Sequence, residues 1–262
     1  MTKPDLTKII KAVSKGTKGR KSKGVRLSSL AALAVVFVII TVLALGYAGV
    51  IDLPFFEDEP SYSLGSFSYE NIPEYDGEPF VILNGGVPYF TPEEFDVSKG
   101  LEFYGELDTL GRCSYAIAIV SRDTMPSELR EGIGNVEPSG WQSVKYDCVS
   151  GGWLYNRCHL IGYQLTGEND NDKNLITGTR YLNMQGMVKF ENKVADYVEE
   201  TGNHVIYRVT PIFVGDELVA RGVVIEAWSV EDGGEEISFN VFCYNVQPGI
   251  VIDYSDGDSY EE

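Results

Sequence analysis

The stretch that decides the fold is Gly151-Gly152-Trp153-Leu154-Tyr155-Asn156-Arg157-Cys158-His159. It reads as a Gly-Gly turn that feeds a strand ending in Arg157 and His159. Side chains at i and i+2 of a strand leave the same face, so a guanidinium and an imidazole point together into one place. His159 is one of two histidines in the chain, the other being His204. His204 opens a strand after Thr201-Gly202-Asn203 without comparable companions, and it reads as structural.

Working outward, Gln142 to Val149 is expected to be the antiparallel partner of Trp153 to His159, with Gly151-Gly152 as the two-residue turn between them. That register sets Cys148 opposite Tyr155 and Cys158 opposite Lys145, so these two cysteines are not cross-strand neighbours. A polar loop, Gly167 to Lys173, follows. Then comes the strongest helical pattern of the chain: Leu182 to Glu200 carries Met184, Met187, Phe190, Val194 and Val198 at three- and four-residue spacings, and Gly202 is its stop. Asn183 lies on the first turn and Glu191 eight residues on. In a regular helix they differ by about 80° and lie roughly 12 Å apart along the axis. One of them can bind an ion directly and the other can act through water. An amide oxygen with several waters suits magnesium.

Upstream, Phe80 to Leu83 and Val87 to Phe90 flank Asn84-Gly85-Gly86 and predict a hairpin. Ser114 to Val120 predicts a buried strand, and Met125 to Ile133 a loop or short helix. Downstream, strands are expected at Val205 to Phe213, Leu218 to Trp228 and Ile237 to Val246. The acidic residues 253–262 are expected to fray. Four cysteines (Cys113, Cys148, Cys158 and Cys243) lack CxxC spacing, which argues against zinc; a disulfide or a set of buried thiols stays open.

Charge divides the chain. Residues Met1 to Arg26 hold nine Lys or Arg and one acid, Asp5, for +8; the whole chain is −18, so −18 less +8 leaves −26 for the rest. Leu30 to Ile51 is uncharged, and its 22 residues at 1.5 Å rise span roughly 33 Å, enough for a bilayer core. The expected organisation is a basic cytoplasmic segment (1–26), a transmembrane helix (27–51), an acidic spacer (52–76), a folded domain (77–252) and an acidic tail (253–262). The positive-inside rule then places the chain as single-pass in the cell membrane, N-terminus cytoplasmic and the acidic bulk extracellular. A cleaved signal peptide is the rival reading, opposed by the long basic segment and the long apolar run.

From Tyr155 to Glu191 the chain resembles the DNA/RNA non-specific endonucleases of the ββα-metal (His-Me finger) superfamily. More narrowly, it resembles membrane-anchored DNA-entry nucleases of Gram-positive bacteria. The family motif, Asp-Arg-Gly-His followed by Asn and Glu on a helix, is met here by Asn156-Arg157-Cys158-His159, Asn183 and Glu191. The resemblance runs from about Phe80 to Ile252. It implies an α+β fold with a mixed or antiparallel sheet core and a ββα-metal finger. On residue type alone Arg180 and Arg112 are candidate substrate contacts or merely solvated; the resemblance implies His159 as general base, Asn183 as the metal ligand, Glu191 orienting metal-bound water and Arg157 on phosphate. It implies Mg2+, with Mn2+ as a substitute, nucleic acid as substrate, and products ending in 5′-phosphate. Two positions depart: Asn156 replaces Asp, and Cys158 replaces Gly. Both are expected on the strand face away from Arg157 and His159.

Against a nuclease stands the −26 balance, since nucleic-acid proteins usually carry a basic footprint. The cations Arg112, Arg157, Lys173, Arg180, Lys189, Lys193 and Arg208 are expected to offset it locally, five of them between Arg157 and Lys193. The other readings are a non-catalytic surface protein that keeps the finger fold and a contact-delivered toxin nuclease. No protein partner follows from the residues.

Overall fold

A computed structural model describes residues 69–91, 94, 100, 102–130 and 132–262. The apolar run from Leu30 to Ile51, its basic flank and most of the spacer lie outside the described residues. Among the described residues no helix is long and apolar enough to cross a membrane.

The elements are β1 (Phe80–Ile82), β2 (Glu102–Tyr104), β3 (Ala116–Val120), β4 (Tyr155–His159), α1 (Tyr163–Thr166), β5 (Leu175–Thr179), a π-helical turn (Leu182–Met187) running into α2 (Val188–Thr201), β6 (Val205–Ile212), β7 (Gly222–Ser229), β8 (Ser238–Tyr244), β9 (Ile250–Ile252) and β10 (Ser259–Glu261). Six strands make the main sheet in the order β1-β8-β7-β6-β3-β2, every pair antiparallel. This is the expected α+β architecture.

The two sheet faces have different jobs. One carries Ala116, Ala118, Val120, Val205, Tyr207, Val209, Ile225 and Val241, and packs against Phe190, Val194 and Val198 of α2. The other carries Val224, Phe242 and Tyr244 and is covered by Tyr69, Ile72, Tyr75 and Leu83. Its polar strip is closed by Arg208, which is 1 % exposed and lies across from Glu226 in the β6–β7 register. Arg208 donates to Glu226 Oε2 (2.8 Å), Glu94 Oε1 (2.9 Å) and the Tyr89 carbonyl (2.9 Å). Two carboxylates and a carbonyl satisfy the buried guanidinium, and the cation is unavailable to substrate.

Several expectations are corrected. Val87 to Phe90 does not pair with β1; β1 pairs with β8, Phe80 opposite Cys243, and residues 84–86 form a short 3-10 turn. Gln142 to Val149 is not the partner of β4. It keeps a single bridge, Lys145 with Trp153, and its turn is longer than two residues, closed by Tyr146 N–H to the Gly152 carbonyl at 2.9 Å. The true partner is β5, with Tyr155 opposite Thr179 and His159 opposite Leu175. β5 is buried along its whole length, so it lacks the polar alternation that marks a half-exposed strand. The tail is not frayed: β10 pairs with β9, Tyr260 opposite Val251.

The helix starts differently too. A Thr179 hydroxyl accepts the Leu182 N–H at 2.9 Å, as an N-terminal cap does. An i→i+5 turn holds more residues than an α turn, so each residue rotates less. That underwinding leaves Met184 41 % exposed, where α periodicity expects it in the core, while Met187 is fully buried. It also brings Asn183 and Glu191 closer to one line than the 80° of a regular helix.

Candidate active site

β4, β5 and α2 form the ββα finger. Asn245 fastens it to the main sheet: its Oδ1 accepts Thr179 N–H (2.8 Å), and its Nδ2 donates to the Thr177 (3.1 Å) and Ala220 (2.9 Å) carbonyls. All three bonds are buried and tie the finger to the sheet.

His159 ends β4 and is 7 % exposed. Its Nε2 lies 2.7 Å from the Asn169 carbonyl. A carbonyl only accepts, so the proton sits on Nε2 and the lone pair on Nδ1. Arg130 Nη2 faces that Nδ1 at 3.3 Å. Burial, helped by the Arg130 charge and opposed by the Asn169 carbonyl, pushes the imidazole down to about 4 rather than leaving it near its free value. The ring is therefore neutral at physiological pH, with its basic nitrogen aimed at a guanidinium.

Glu191 lies on the first turn of α2 with its carboxyl against the α of Gly162; a Cβ there would come within 2.7 Å of it. It is 8 % exposed. Burial pushes its carboxyl up to about 7, while Arg130 and a hydrogen bond from Gln164 pull the other way. Arg130 thus acts on both His159 and Glu191. Sequence reasoning missed it because Met125 to Ile133 showed no period, and an isolated arginine in a loop has no spacing to mark it.

Asn183 Nδ2 donates to Asn156 Oδ1 at 3.0 Å, and Arg180 Nη1 donates to the same oxygen at 3.3 Å. The Asn183 amide is thereby turned so that its carbonyl oxygen is the end offered to a cation. Asn156, expected to be mere support, is the residue that orients Asn183. Cys158 fills the space left by Gly178, where a Cβ would lie 2.4 Å from its sulfur. The large residue on β4 and the small one on β5 are a matched pair, which accounts for the departure from the family's glycine. All four cysteines are free; Cys113, Cys158 and Cys243 are buried, and Cys148 is exposed.

The remaining expected contacts are placed as follows. Arg157 donates through Nε to the Val136 carbonyl and through Nη2 to the Gly134 carbonyl (3.1 Å), and it stacks on Trp141 at 4.0 Å. Two of its five N–H donors hold the 134–136 loop. Arg112 is bound to Asp108 (2.7 Å) and to the Gly215 (2.8 Å) and Glu217 (2.9 Å) carbonyls, so its guanidinium is committed away from the finger. Lys173 pairs with Glu106, and Arg208 is buried in the sheet. The local basic offset therefore rests on Arg130, Arg180, Lys189 and Lys193. Both ends of the Asn174 amide are spent on Ile161, at 2.9 and 3.0 Å, and His204 pairs with Glu231; His204 is structural, as expected.

Among the described residues no group of three or more His, Cys, Asp or Glu could cage a metal. What the finger offers is an amide oxygen and a carboxyl that burial raises to about 7. Those are oxygen donors for a hard ion that keeps much of its water.

The model of the DNA/RNA non-specific endonuclease family matches residues 94–231, just over half of the chain, and takes in the whole finger. The chain belongs to that family. Among curated proteins, a deoxyribonuclease of Streptococcus dysgalactiae subsp. equisimilis is 34% identical over 109 residues, 40% of this chain. The matched region spans about a third of that relative's length (32%). The structure of Sda1 nuclease with bound zinc ion is 31% identical, covering 62% of this chain and 81% of that one, with a TM-score of 0.55. NucA from Streptococcus agalactiae is similar with no metal bound (26% identity, 74% and 92% coverage, TM-score 0.62) and with magnesium (25%, 62% and 80%, TM-score 0.56). His159, Asn183 and Glu191 all fall inside the matched segment.

Proposed function

We propose that the chain is a metal-dependent endonuclease that hydrolyses phosphodiester bonds in DNA, and in RNA, without sequence preference. The observation that carries this reading is His159: its proton is fixed on Nε2 by the Asn169 carbonyl, and its free Nδ1 faces Arg130. A neutral imidazole with one defined basic nitrogen can take a proton from an attacking water. The Asn169 carbonyl then steadies the imidazolium. Arg130 gives up its contact with Nδ1 to a non-bridging phosphate oxygen, where its charge offsets the negative charge that develops in the transition state. Arg157 keeps the 134–136 loop in place beside the reacting phosphate, and Arg180 supports Asn183 through Asn156.

The donor set and the magnesium in the NucA relative support Mg2+ at Asn183 Oδ1, with Mn2+ as a substitute. When bound, the cation would supply charge neutralisation at the phosphate and at the leaving 3′-oxygen. Glu191, once ionised, accepts hydrogen bonds from water around that position. The products would carry 5′-phosphate and 3′-hydroxyl ends. The uncharged run from Leu30 to Ile51 and its basic flank support a single-pass anchor that presents this site outside the cell.

The test is nicking of supercoiled plasmid by the full chain with magnesium or EDTA, alongside His159→Ala. Magnesium-dependent nicking that His159→Ala abolishes is expected. Undiminished cutting by the variant, or none by the wild type, overturns the reading.

A further inference from the structure

Two cation–indole pairs lie along β4 and the residues that lead into it. Lys145 bridges Trp153, and its ammonium sits 4.3 Å from the Trp153 ring centroid. Beyond that single bridge, the Arg157 guanidinium sits 4.0 Å from the Trp141 ring. Between them Tyr155 is buried, its hydroxyl bonded to the Gly257 carbonyl at 2.9 Å, so the C-terminal turn closes over the middle of the ladder.

The ends of the ladder differ. The Arg157–Trp141 end is two residues from His159, half-buried and committed to the 134–136 loop. The Lys145–Trp153 end is open: Trp153 is 49 % exposed, and Lys145 is exposed. The local core beneath them is filled by Val149, Leu154, Tyr155 and Ile250, so the Trp153 ring is not needed to complete it. Six residues separate Trp153 from His159, roughly 20 Å at strand rise. A polynucleotide held at His159 reaches that far within a few nucleotides.

We propose that Trp153, with Lys145, is a remote substrate subsite that stacks an unpaired base of the strand being cut and takes its phosphate on the ammonium. This rests on the nuclease reading above and adds to it a preference for substrate long enough to span the ladder. An indole face with an adjacent cation matches what a single strand presents at each nucleotide, a π face and a phosphate. Asp147 follows Tyr146 in the same turn, and Glu261 reaches Cys148 at 3.9 Å. Against those acids, stacking is the main attraction and charge the lesser one.

Steady-state cleavage of a single strand of about 12 nucleotides, compared with a trinucleotide, tests it. Trp153→Ala is expected to raise KM for the longer strand about tenfold with kcat held, with a much smaller change on the trinucleotide. Trp153→Phe recovers most of the loss, and Lys145→Ala gives a smaller loss that fades with added salt. Equal losses on both lengths, or none on either, overturn the subsite. Anisotropy of the labelled longer strand on full-length His159→Ala protein, wild type or Ala at 153, separates the two readings. Trp153-dependent binding without cleavage by the parent chain would sink the activity and keep the subsite; cleavage without Trp153-dependent binding does the reverse.

Discussion

Replacing Glu191 with Gln keeps the shape of a buried side chain and removes its ability to ionise. In the metal-free protein, burial raises this carboxyl from 4.5 to about 7. The native state therefore binds more protons than the unfolded chain between those values, and stability falls as pH rises from about 4.5 to 7, then levels off. A rise of that size, at 1.36 kcal/mol per pKa unit, corresponds to about 3 kcal/mol by pH 8. Glu191→Gln escapes the loss. In EDTA the variant should match wild type near pH 4.5 and exceed it by up to about 3 kcal/mol at pH 8. Urea unfolding followed by tryptophan fluorescence at both pH values measures the difference. Other groups titrate alike in both proteins and cancel. Magnesium should then stabilise wild type and leave the variant unmoved, because ligand binding to the native state adds RT ln(1 + [L]/Kd). A wild-type-minus-variant difference that is constant across pH would refute the reasoning, since it would mean that Glu191 is not an uncompensated buried acid.

Other outcomes follow from the same geometry. At limiting magnesium the acid limb of kcat/KM should lie near 7, where Glu191 loses its proton, and should move lower as magnesium rises; His159, held at about 4, enters only below that. A limb at the free histidine value that ignores magnesium would count against both assignments. Arg130→Ala should lower kcat by about 10²–10³ without loss of thermal stability, measured by nicking rate and melting. Gly162→Ala should cut magnesium-dependent activity, because the new methyl meets the Glu191 carboxyl at 2.7 Å; full activity would mean the carboxyl is free to move. Glu226→Gln should destabilise the fold by about 1–3 kcal/mol in urea, since it replaces one charged acceptor of Arg208 with an amide while Glu94 still neutralises the guanidinium.

The chemistry was legible because it sits on regular elements. Arg157 and His159 share a strand face, Asn183 and Glu191 open a strongly amphipathic helix, and Gly202 ends it in a left-handed conformation, φ 74. What stayed hidden is non-periodic or long-range. Arg130 lies in a loop 29 residues from His159. β5 was passed over because burial on both faces erased its alternation. The Gly151-Gly152 pair suggested a tight hairpin, yet the better partner for β4 lay beyond the loop and α1, where Gly178 could receive Cys158.

By itself the sequence determined the family, set His159 at the end of a strand and put Asn183 and Glu191 on one helical run, because these depend on residue types at fixed local spacing. It also set the division between a basic, apolar N-terminal part and an acidic domain. Only the tertiary structure decided which nitrogen of His159 is basic, since that depends on the Asn169 carbonyl ten residues on. It alone showed that Arg112 and Arg208 are committed to structure and that Asn156 turns the Asn183 amide. Those outcomes turn on burial and on partners distant in the chain, and a spacing pattern records neither.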